Sequence, residues 1–244
     1  MAGESKRFFQ AGYIKPKFML EAKGKTLFRH AVEGFHSYFN IEPFLFIVRD
    51  INKVDSFIKQ ECMRMGLHKY EVVILKNLTF GQGHTVYLGL DFANIEAEDP
   101  VTIFNIDTFR PGFIYPTDFD IRIVDGYLEV FVGTGANWSF VRPMAAGENL
   151  FGVAETSEKR PISNLCCTGL YYFRRSELFF DIIKDELDKP KEQWEAGELY
   201  IAPLYNRLIK QGCDIRYKVI SRDEVIFCGV PQEYVEFCER NSSV

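Results

Sequence analysis

The chain has 244 residues, of which 47% are hydrophobic and 26% charged, and its formal net charge is −5 at pH 7. This is enough apolar material for one large domain or two small ones. The acidic balance argues against a broad nucleic-acid surface. No apolar run approaches the ~18 residues of a membrane span, and the start lacks a signal-peptide pattern, which favours a cytoplasmic protein. Six cysteines without C-x-x-C spacing predict reduced, mostly buried thiols.

The opening segment combines small residues with two fixed cations. Ala2, Gly3 and Ser5 form a turn whose main-chain N–H groups can approach an anion closely, because Gly3 has no Cβ. Arg7 then offers a planar fork of donors, and Lys17 offers a point charge. This combination suits a polyphosphate.

Helices and strands alternate in the first half. The predicted elements are a helix over 26–39 with Thr26 as N-cap, a strand over 44–48, a helix over 52–65, a strand over 71–75, a loop over 79–83, a helix over 84–93 and a strand over 101–104. This alternation is typical of a parallel sheet covered by helices. Ligands bind such sheets at the carboxyl ends of the strands, where the 79–83 loop and Asp107 are found.

Short strands and turns dominate beyond residue 110. The predicted elements there are strands over 127–132, 138–141, 150–154, 168–173 and 214–220, and helices over 176–187, around 197–210 and from Pro231. No Pro- or Ser-rich linker interrupts the chain, so we predict one domain over 1–244, with a nucleotide-binding half at 1–110. The predicted fold class is α/β, a three-layer α/β/α sandwich with a mixed, mainly parallel central sheet.

Taken together, these segments resemble the nucleotidyltransferases of the pyrophosphorylase type over nearly the whole chain. This family includes glucose-1-phosphate thymidylyltransferases, phosphocholine cytidylyltransferases and capsule-locus relatives, and the resemblance implies a nucleotide-diphospho-sugar transferase-like (GT-A-like) fold. The family's opening motif reads roughly A-G-x-G-[ST]-R, followed by P-K. Residues 1–8 and Pro16-Lys17 fall on it, with Ser5 in place of the second glycine and Lys6 in place of the Ser/Thr.

The resemblance assigns roles to the opening residues. It implies that Ala2, Gly3 and Glu4 cradle phosphates through their main-chain amides. It also implies that Arg7 and Lys17 are catalytic, because they would grip the triphosphate and offset the charge that develops at the α-phosphate. Relatives carry a short apolar strand before this loop. We therefore expect the first strand to be missing from this chain, with the natural start a few residues upstream or the chain truncated.

The segment 79–86 resembles the family's base-recognition segment. The resemblance implies that Thr79, Gly81 and Gln82 bind the nucleotide. Gln82 would read the edge of the base, since its amide offers both a donor and an acceptor. Taken alone, the segment is more typical of an ordinary strand–helix loop.

Asp107 follows an apolar strand, where a carboxylate is poorly placed unless it meets a cation or a hydrogen-bond cluster. It matches the family's metal-binding aspartate, which implies that Asp107 is catalytic and that Mg²⁺ is the cofactor. Alone, such an aspartate more often caps the next turn. The family's second metal aspartate is replaced by Phe227. Either one carboxylate suffices, or another acid such as Asp223 or Glu224 substitutes, or activity is impaired; the residues leave these alternatives open.

The segment 158–173 resembles the acceptor-binding segment E-K-P…S…T-G-x-Y-x-F. The resemblance implies that Glu158 contacts the acceptor and that Lys159 contacts the acceptor's phosphate, in an acceptor-binding half at 111–244. It also places Gly169 and Glu198 in the acceptor site. Alone, Glu158 and Lys159 are typical of an exposed charged turn, and Glu198 of a first-turn helix acid.

The resemblance implies an enzyme that joins a nucleoside monophosphate from an NTP to a sugar phosphate or similar phosphomonoester and releases pyrophosphate. Synthesis of surface polysaccharide precursors is the expected context, and homo-oligomerisation stays open. A GT-A-like glycosyltransferase is the first alternative, although Asn105-Ile106-Asp107 lacks the usual Asp-x-Asp. A non-catalytic nucleotide-binding protein is the second, since Ser5, Lys6 and Phe227 all depart from the family.

Overall fold

A computed structural model describes residues 1, 3–145, 147 and 150–240 of the chain. Within these residues the α-helices are α1 (Lys6–Gln10), α2 (Leu27–Glu33), α3 (Val54–Met65), α4 (Gln82–Phe92), α5 (Ser176–Leu187), α6 (Tyr205–Lys210) and α7 (Pro231–Glu239). The strands are β1 (Glu21–Ala22), β2 (Lys25–Thr26), β3 (Phe44–Arg49), β4 (Tyr70–Leu75), β5 (Val101–Phe104), β6 (Thr108–Phe109), β7 (Gly126–Val132), β8 (Ser139–Pro143), β9 (Val153–Glu158), β10 (Leu165–Phe173), β11 (Ile215–Ile220) and β12 (Ile226–Phe227).

The chain forms two compact units, each built from separated segments. Unit 1 consists of Met1–Leu78, Asn105–Ile114 and Asp223–Val244, and unit 2 of Thr79–Phe104 and Tyr115–Arg222. The single domain with halves divided at residue 110 stays a prediction.

Unit 1 contains the predicted strand–helix–strand segment. Strands β3 and β4 pair in parallel, from Phe44 opposite Tyr70 to Arg49 opposite Leu75. Helix α3 connects them and buries Val54, Ile58, Cys62 and Met65, which lie on one face at helical spacing. The same core cluster includes the buried aromatic and aliphatic side chains of β3 and α2, namely Phe46, Val48 and Phe28.

Thr26 is the N-cap of α2, as predicted. Its hydroxyl accepts from Arg29 N (3.2 Å) and donates to the buried Glu61 carboxylate (2.7 Å). The helix ends at Glu33, earlier than predicted. The reason is Gly34, whose carbonyl accepts from Phe113 N (3.0 Å) and so is not used to continue the helix.

Unit 2 is built on a six-stranded sheet. Strand β10 pairs antiparallel with β7, β5 and β8, β8 pairs antiparallel with β9, and β11 pairs in parallel with β7. Among the described strands, parallel pairing is confined to β3–β4 and β7–β11. Strand β5 pairs antiparallel with β10 instead of extending the parallel pairing of the first half, so most strand pairs are antiparallel, whereas mainly parallel pairing was predicted. The mixed sheet with helices confirms the α/β fold class.

Two predicted elements of unit 2 have different bounds. The strand predicted over 150–154 begins at Val153, because Phe151 has a left-handed backbone (φ 66) that interrupts extended structure. The helix predicted around 197–210 is α-helical only from Tyr205. Before it, Ala196 and Gly197 have positive φ (54 and 76) and Glu198 is extended, so the helix cannot begin there.

All six cysteines are free thiols and four of them are buried, as predicted. Among the described residues, no helix has the length and apolar character needed to cross a membrane.

Candidate active site

The opening loop is fastened to Lys17. Ser5, at the position of the family's second glycine, has a left-handed backbone (φ 50, ψ 27), which glycine adopts at lower cost. Its Oγ accepts from Lys17 N (3.3 Å) and so ties the loop to that residue. Gly3 is exposed, and an added Cβ would meet no atom within 4 Å. Ala2 lies outside the described residues.

Arg7 lies on α1, a helix that the sequence analysis did not predict. It is exposed, and no carboxylate among the described residues pairs with it. Glu4 instead pairs with Lys6 (2.7 Å), which occupies the Ser/Thr position of the motif. The guanidinium of Arg7 is thus available for an anionic ligand.

Lys17 and Asp107 form an ion pair, although 90 residues separate them in the sequence. Their side chains are 23% and 24% exposed. Burial acts to raise the pKa of Asp107, but the charge and hydrogen bond of Lys17 outweigh it and lower that pKa below its usual value. The structure therefore brings together the predicted phosphate-binding lysine and the predicted metal-binding carboxylate, with Asp107 ionised.

The second carboxylate of the family is absent from its expected place. Phe227 lies opposite Thr108 in the β6–β12 pair. Thr108 is the residue that directly follows Asp107 in the chain. Glu224 forms an ion pair with the buried Arg110 (3.1 Å). In the described part of the chain no group of three or more His, Cys, Asp or Glu residues could hold a metal ion.

The surroundings of Asp107 fit a magnesium ion that is held mainly by phosphate. Mg²⁺ usually keeps several waters and takes one or two carboxylates together with substrate phosphates, and Asp107 is one such ligand. Gly229 approaches it closely, since a Cβ there would lie 3.3 Å from Asp107 Oδ2, the oxygen that Lys17 contacts. The donor set therefore fits, with Asp107 as the protein ligand.

The predicted base-recognition loop is packed against the main chain of Leu199. Gly83 N donates to Leu199 O (2.6 Å), and Leu199 N donates to Phe80 O (2.8 Å). Gly81 has φ 133, and a Cβ there would lie 2.7 Å from Leu199 N. The two glycines thus join the 79–83 loop to the Gly-Glu-Leu segment that contains Glu198.

Two predicted nucleotide-binding residues lie at the start of α4. Thr79 Oγ1 hydrogen-bonds to Thr85 Oγ1 (2.7 Å), which closes the turn. Gln82 is the first residue of the helix and follows its N-cap, Gly81.

Phe80 and His84 have no role predicted from the sequence. Phe80 is half exposed, its ring stacks on that of His84 (4.7 Å, 14°), and Phe80 N donates to His84 Nδ1 (3.1 Å). Their spacing of four residues across a helix start was the available signal.

Glu158 is buried at the end of β9, whereas the alternative interpretation required an exposed turn. It is 6% exposed, its carboxylate accepts from Ser139 Oγ, and its N–H donates to Glu195 Oε1 (3.0 Å). Burial raises its pKa, and the hydrogen bond from Ser139 only partly offsets this. No signal in the sequence identified Ser139 or Glu195.

Lys159 is exposed and has a left-handed backbone (φ 54), which a non-glycine residue adopts at a cost. Its ammonium donates to Tyr200 OH and lies 4.5 Å from the centre of the Tyr200 ring. Burial acts to lower the pKa of Lys159, but Tyr200 and neighbouring carboxylates raise it, so the side chain is a cation. Tyr200, two residues after Glu198, was also missed.

Gly169 and Glu198 have different surroundings. Gly169 is buried at a bulge of β10 and has φ 94, which favours glycine. Glu198 is exposed and extended, so it is not a first-turn helix acid. Within unit 2 the 79–83 loop contacts Leu199, and Glu158 and Lys159 are consecutive residues. Within unit 1, Lys17 contacts both Ser5 and Asp107. The site roles of all these residues stay predictions.

The mixed α/β fold agrees with that of the nucleotidyltransferase class. Comparison with solved structures agrees. The nucleoside-diphosphate-sugar pyrophosphorylase from Vibrio cholerae RC9 is 49% identical, each chain covers 97% of the other, and the TM-score is 0.90. The chain belongs to the nucleoside-diphosphate-sugar pyrophosphorylase family, and it is an enzyme of the nucleotidyltransferase type.

More distant structures share the fold. The inositol-1-phosphate CTP transferase from T. maritima is 15% identical, with a TM-score of 0.71 over 97% of this chain and 91% of that one. The UTP-bound UGPase from Acinetobacter baumannii is 13% identical, with a TM-score of 0.67 over 97% and 89%. No protein-family model and no curated protein sequence matched the chain.

Proposed function

We propose that the chain transfers a nucleoside monophosphate from an NTP to a phosphorylated sugar or similar phosphomonoester and releases pyrophosphate. The observation that carries this proposal is the Lys17–Asp107 pair beside the opening loop, in a chain 49% identical to a nucleoside-diphosphate-sugar pyrophosphorylase. An oxygen of the acceptor phosphate attacks the α-phosphorus, a new P–O bond forms, and the bond to pyrophosphate breaks. The chain needs no covalent intermediate, so its contributions are positioning and charge stabilisation.

In unit 1, Arg7 and Lys17 bind the triphosphate, while Gly3 and Glu4 offer main-chain N–H groups, as Ala2 would from outside the described residues. Arg7 is exposed and unpaired among the described residues, so no protein ion pair has to be broken before it binds. Lys17 is already held beside Asp107, and its charge offsets the negative charge that grows on the departing phosphates.

Asp107 is the residue that would hold Mg²⁺, since its carboxylate is ionised and Mg²⁺ commonly takes one or two carboxylates together with substrate phosphates. When bound, the ion supplies positive charge to phosphate oxygens and helps to orient them. Phe227 cannot replace the family's second carboxylate, so phosphates and water would have to supply the remaining ligands.

In unit 2, Gln82, Thr79 and Gly81 bind the nucleobase side of the NTP, and Glu158, Lys159, Gly169 and Glu198 bind the acceptor. Lys159 is an exposed cation suited to the acceptor's phosphate. Glu158 is a buried hydrogen-bonding carboxyl suited to a hydroxyl group.

The cellular context is also a proposal. NTPs and sugar phosphates are cytoplasmic metabolites, which supports a cytoplasmic enzyme. The resemblance to capsule-locus relatives supports a role in making precursors of surface polysaccharide. Assembly into a homo-oligomer is compatible with this role.

The decisive experiment is a matrix of the common NTPs against phosphorylated acceptors, with Mg²⁺ present and pyrophosphate release as readout. We expect release with at least one combination, and loss of that release in Asp107→Asn. Mn²⁺ binding followed by electron paramagnetic resonance should weaken in the same variant. Absence of pyrophosphate release from the folded wild-type protein across the matrix would refute the proposal.

A further inference from the structure

Ser139 is directly opposite Glu158 in the antiparallel β8–β9 pair. Side chains at such positions share one face of a sheet, with Cβ atoms about 5 Å apart. The serine hydroxyl donates to Glu158 Oε2. The register of the sheet therefore keeps these two side chains adjacent for as long as the strands stay paired.

The Ser139 hydroxyl has a second hydroxyl group, that of Tyr171, as its neighbour. Tyr171 OH is 3.4 Å from Ser139 Oγ and is positioned to donate to it. A serine hydroxyl has one hydrogen and two lone pairs. Because Ser139 gives its hydrogen to Glu158, it can only accept from Tyr171. The chain of hydrogen bonds thus has one direction, from Tyr171 through Ser139 to Glu158.

The main chain at Glu158 is held as well. Its N–H donates to Glu195 Oε1 (3.0 Å), and the N–H of Lys159 donates to Trp138 O (2.9 Å). The backbone and one carboxyl oxygen of Glu158 are therefore fixed. Among the described residues no hydrogen bond occupies its other oxygen, Oε1.

We propose that Ser139, supported by Tyr171, is a positioning residue that holds Glu158 so that Oε1 can accept a hydrogen bond from a hydroxyl group of the acceptor. This inference rests on the proposed function, in which Glu158 binds the acceptor. It narrows the acceptor to phosphomonoesters that carry free hydroxyl groups, such as phosphorylated sugars or cyclitols. Phosphocholine, which has none, could not make this hydrogen bond.

The charged neighbours of Glu158 set the direction of its pH response. Burial, Glu195 and Glu198 raise its pKa, whereas Ser139 and Lys159 lower it. The other titratable groups that face it are Tyr171 and Cys167. Loss of the Ser139 hydroxyl removes a stabilising donor to the ionised form, so the pKa of Glu158 must rise further.

The test compares Ser139→Ala and Ser139→Thr with Ser176→Ala in the full-length protein. Ser176 has no assigned role and is a matched control, because its hydroxyl bonds to main-chain atoms only (Glu96 O, 2.7 Å, and Ala97 O, 3.3 Å). Ser139→Ala should raise the KM for a sugar phosphate about tenfold while the KM for the NTP is unchanged. Threonine should restore the acceptor KM. A carbon NMR titration should find the pKa of Glu158 raised in the alanine variant only.

Three outcomes would overturn the inference. An active Ser139→Ala variant with an unchanged acceptor KM would exclude a positioning role, whatever the pKa does. Equal use of phosphocholine and a sugar phosphate would exclude the hydroxyl contact. If the folded wild-type protein were inactive with every combination of NTP and acceptor, the proposed function would be refuted, and the positioning role with it.

Discussion

The two units hold their candidate ligand-binding carboxyl groups in opposite ways. In unit 1, Asp107 is about a quarter exposed and faces a cation, so its pKa lies below the usual value. In unit 2, Glu158 is almost fully buried and its bonded partner is a neutral hydroxyl, so its pKa lies above the usual value.

The difference shows that the partner, rather than burial alone, decides the charge of a carboxyl group. Burial opposes ionisation in both places, yet only Asp107 has an ammonium group in direct contact. An ionised carboxylate suits a metal ion and a phosphate-binding lysine. A carboxyl that ionises less readily suits hydroxyl groups, for which hydrogen bonding matters more than charge.

The largest effect is expected when the ion pair of unit 1 is broken. Lys17→Ala and Asp107→Asn should each reduce pyrophosphate release about 100- to 1,000-fold, because each removes a charge aimed at the reacting phosphates. Circular dichroism should find both variants folded. Full activity in either one would exclude the role assigned to that residue.

The matched control is the Lys218–Asp118 ion pair of unit 2, which has no assigned role. Lys218→Ala removes an ion pair of the same type and similar exposure. Its pyrophosphate release should stay within about twofold of wild type, since exposed pairs contribute little to stability. A loss as large as that of Lys17→Ala would mean that both effects come from general electrostatics.

The next effect concerns the packing of the loop in unit 2. Gly81→Ala places a Cβ 2.7 Å from Leu199 N at a φ of 133, so the loop and the Leu199 segment must separate. We expect a loss of about 3 kcal/mol in the free energy of unfolding, measured with urea. Gly212→Ala is the control, because its φ is also positive (83) but no atom lies within 4 Å of the added Cβ. A similar loss in both variants would exclude the collision as the cause.

Local sequence patterns predicted the parts of this molecule that depend on short segments. Strands β3 and β4, helix α3 and the Thr26 cap all follow from apolar periodicity and capping chemistry within about 15 residues. The resemblance assigned catalytic roles to both Lys17 and Asp107, but it did not predict that they form an ion pair.

Those patterns could not predict contacts that depend on strand register or that join segments far apart in the sequence. The meeting of Ser139 and Glu158 depends on strand register, which is set by the whole sheet. The packing of Gly81 on Leu199 joins segments more than 100 residues apart. Positive φ at Phe151 and Ala196 shortened two predicted elements, although neither residue type indicates such a backbone.

A third prediction uses the opposite pKa directions. Asp107 has a lowered folded pKa, so its contribution to stability is present above its unfolded pKa and is lost as the pH falls through the folded value. Glu158 has a raised folded pKa, so wild-type stability falls as the pH rises through that value. Relative to wild type, Asp107→Asn should become less stable and Glu158→Gln more stable as the pH rises from about 3 to 7. Neither slope should exceed about 1.4 kcal/mol per pH unit.

Urea unfolding at several pH values measures both slopes. Glu236→Gln, an exposed carboxylate on α7, is the control and should follow wild type throughout. Parallel slopes for Asp107→Asn and Glu158→Gln would contradict the comparison between the two units.

The smallest effect concerns Ser5. A non-glycine residue in its left-handed backbone raises the free energy of the folded state, and the hydrogen bond of its hydroxyl lowers it. Its left-handed backbone costs about 1 kcal/mol relative to glycine, while its Oγ accepts from Lys17 N. Ser5→Gly relieves the first and loses the second, so its free energy of unfolding should stay within about 1 kcal/mol of wild type, with pyrophosphate release little changed. Ser5→Ala keeps the cost and loses the bond, so it should be the least stable of the three. If Ser5→Ala matched wild type in thermal unfolding and in the KM for the NTP, the hydrogen bond would not be what holds Lys17 to the loop.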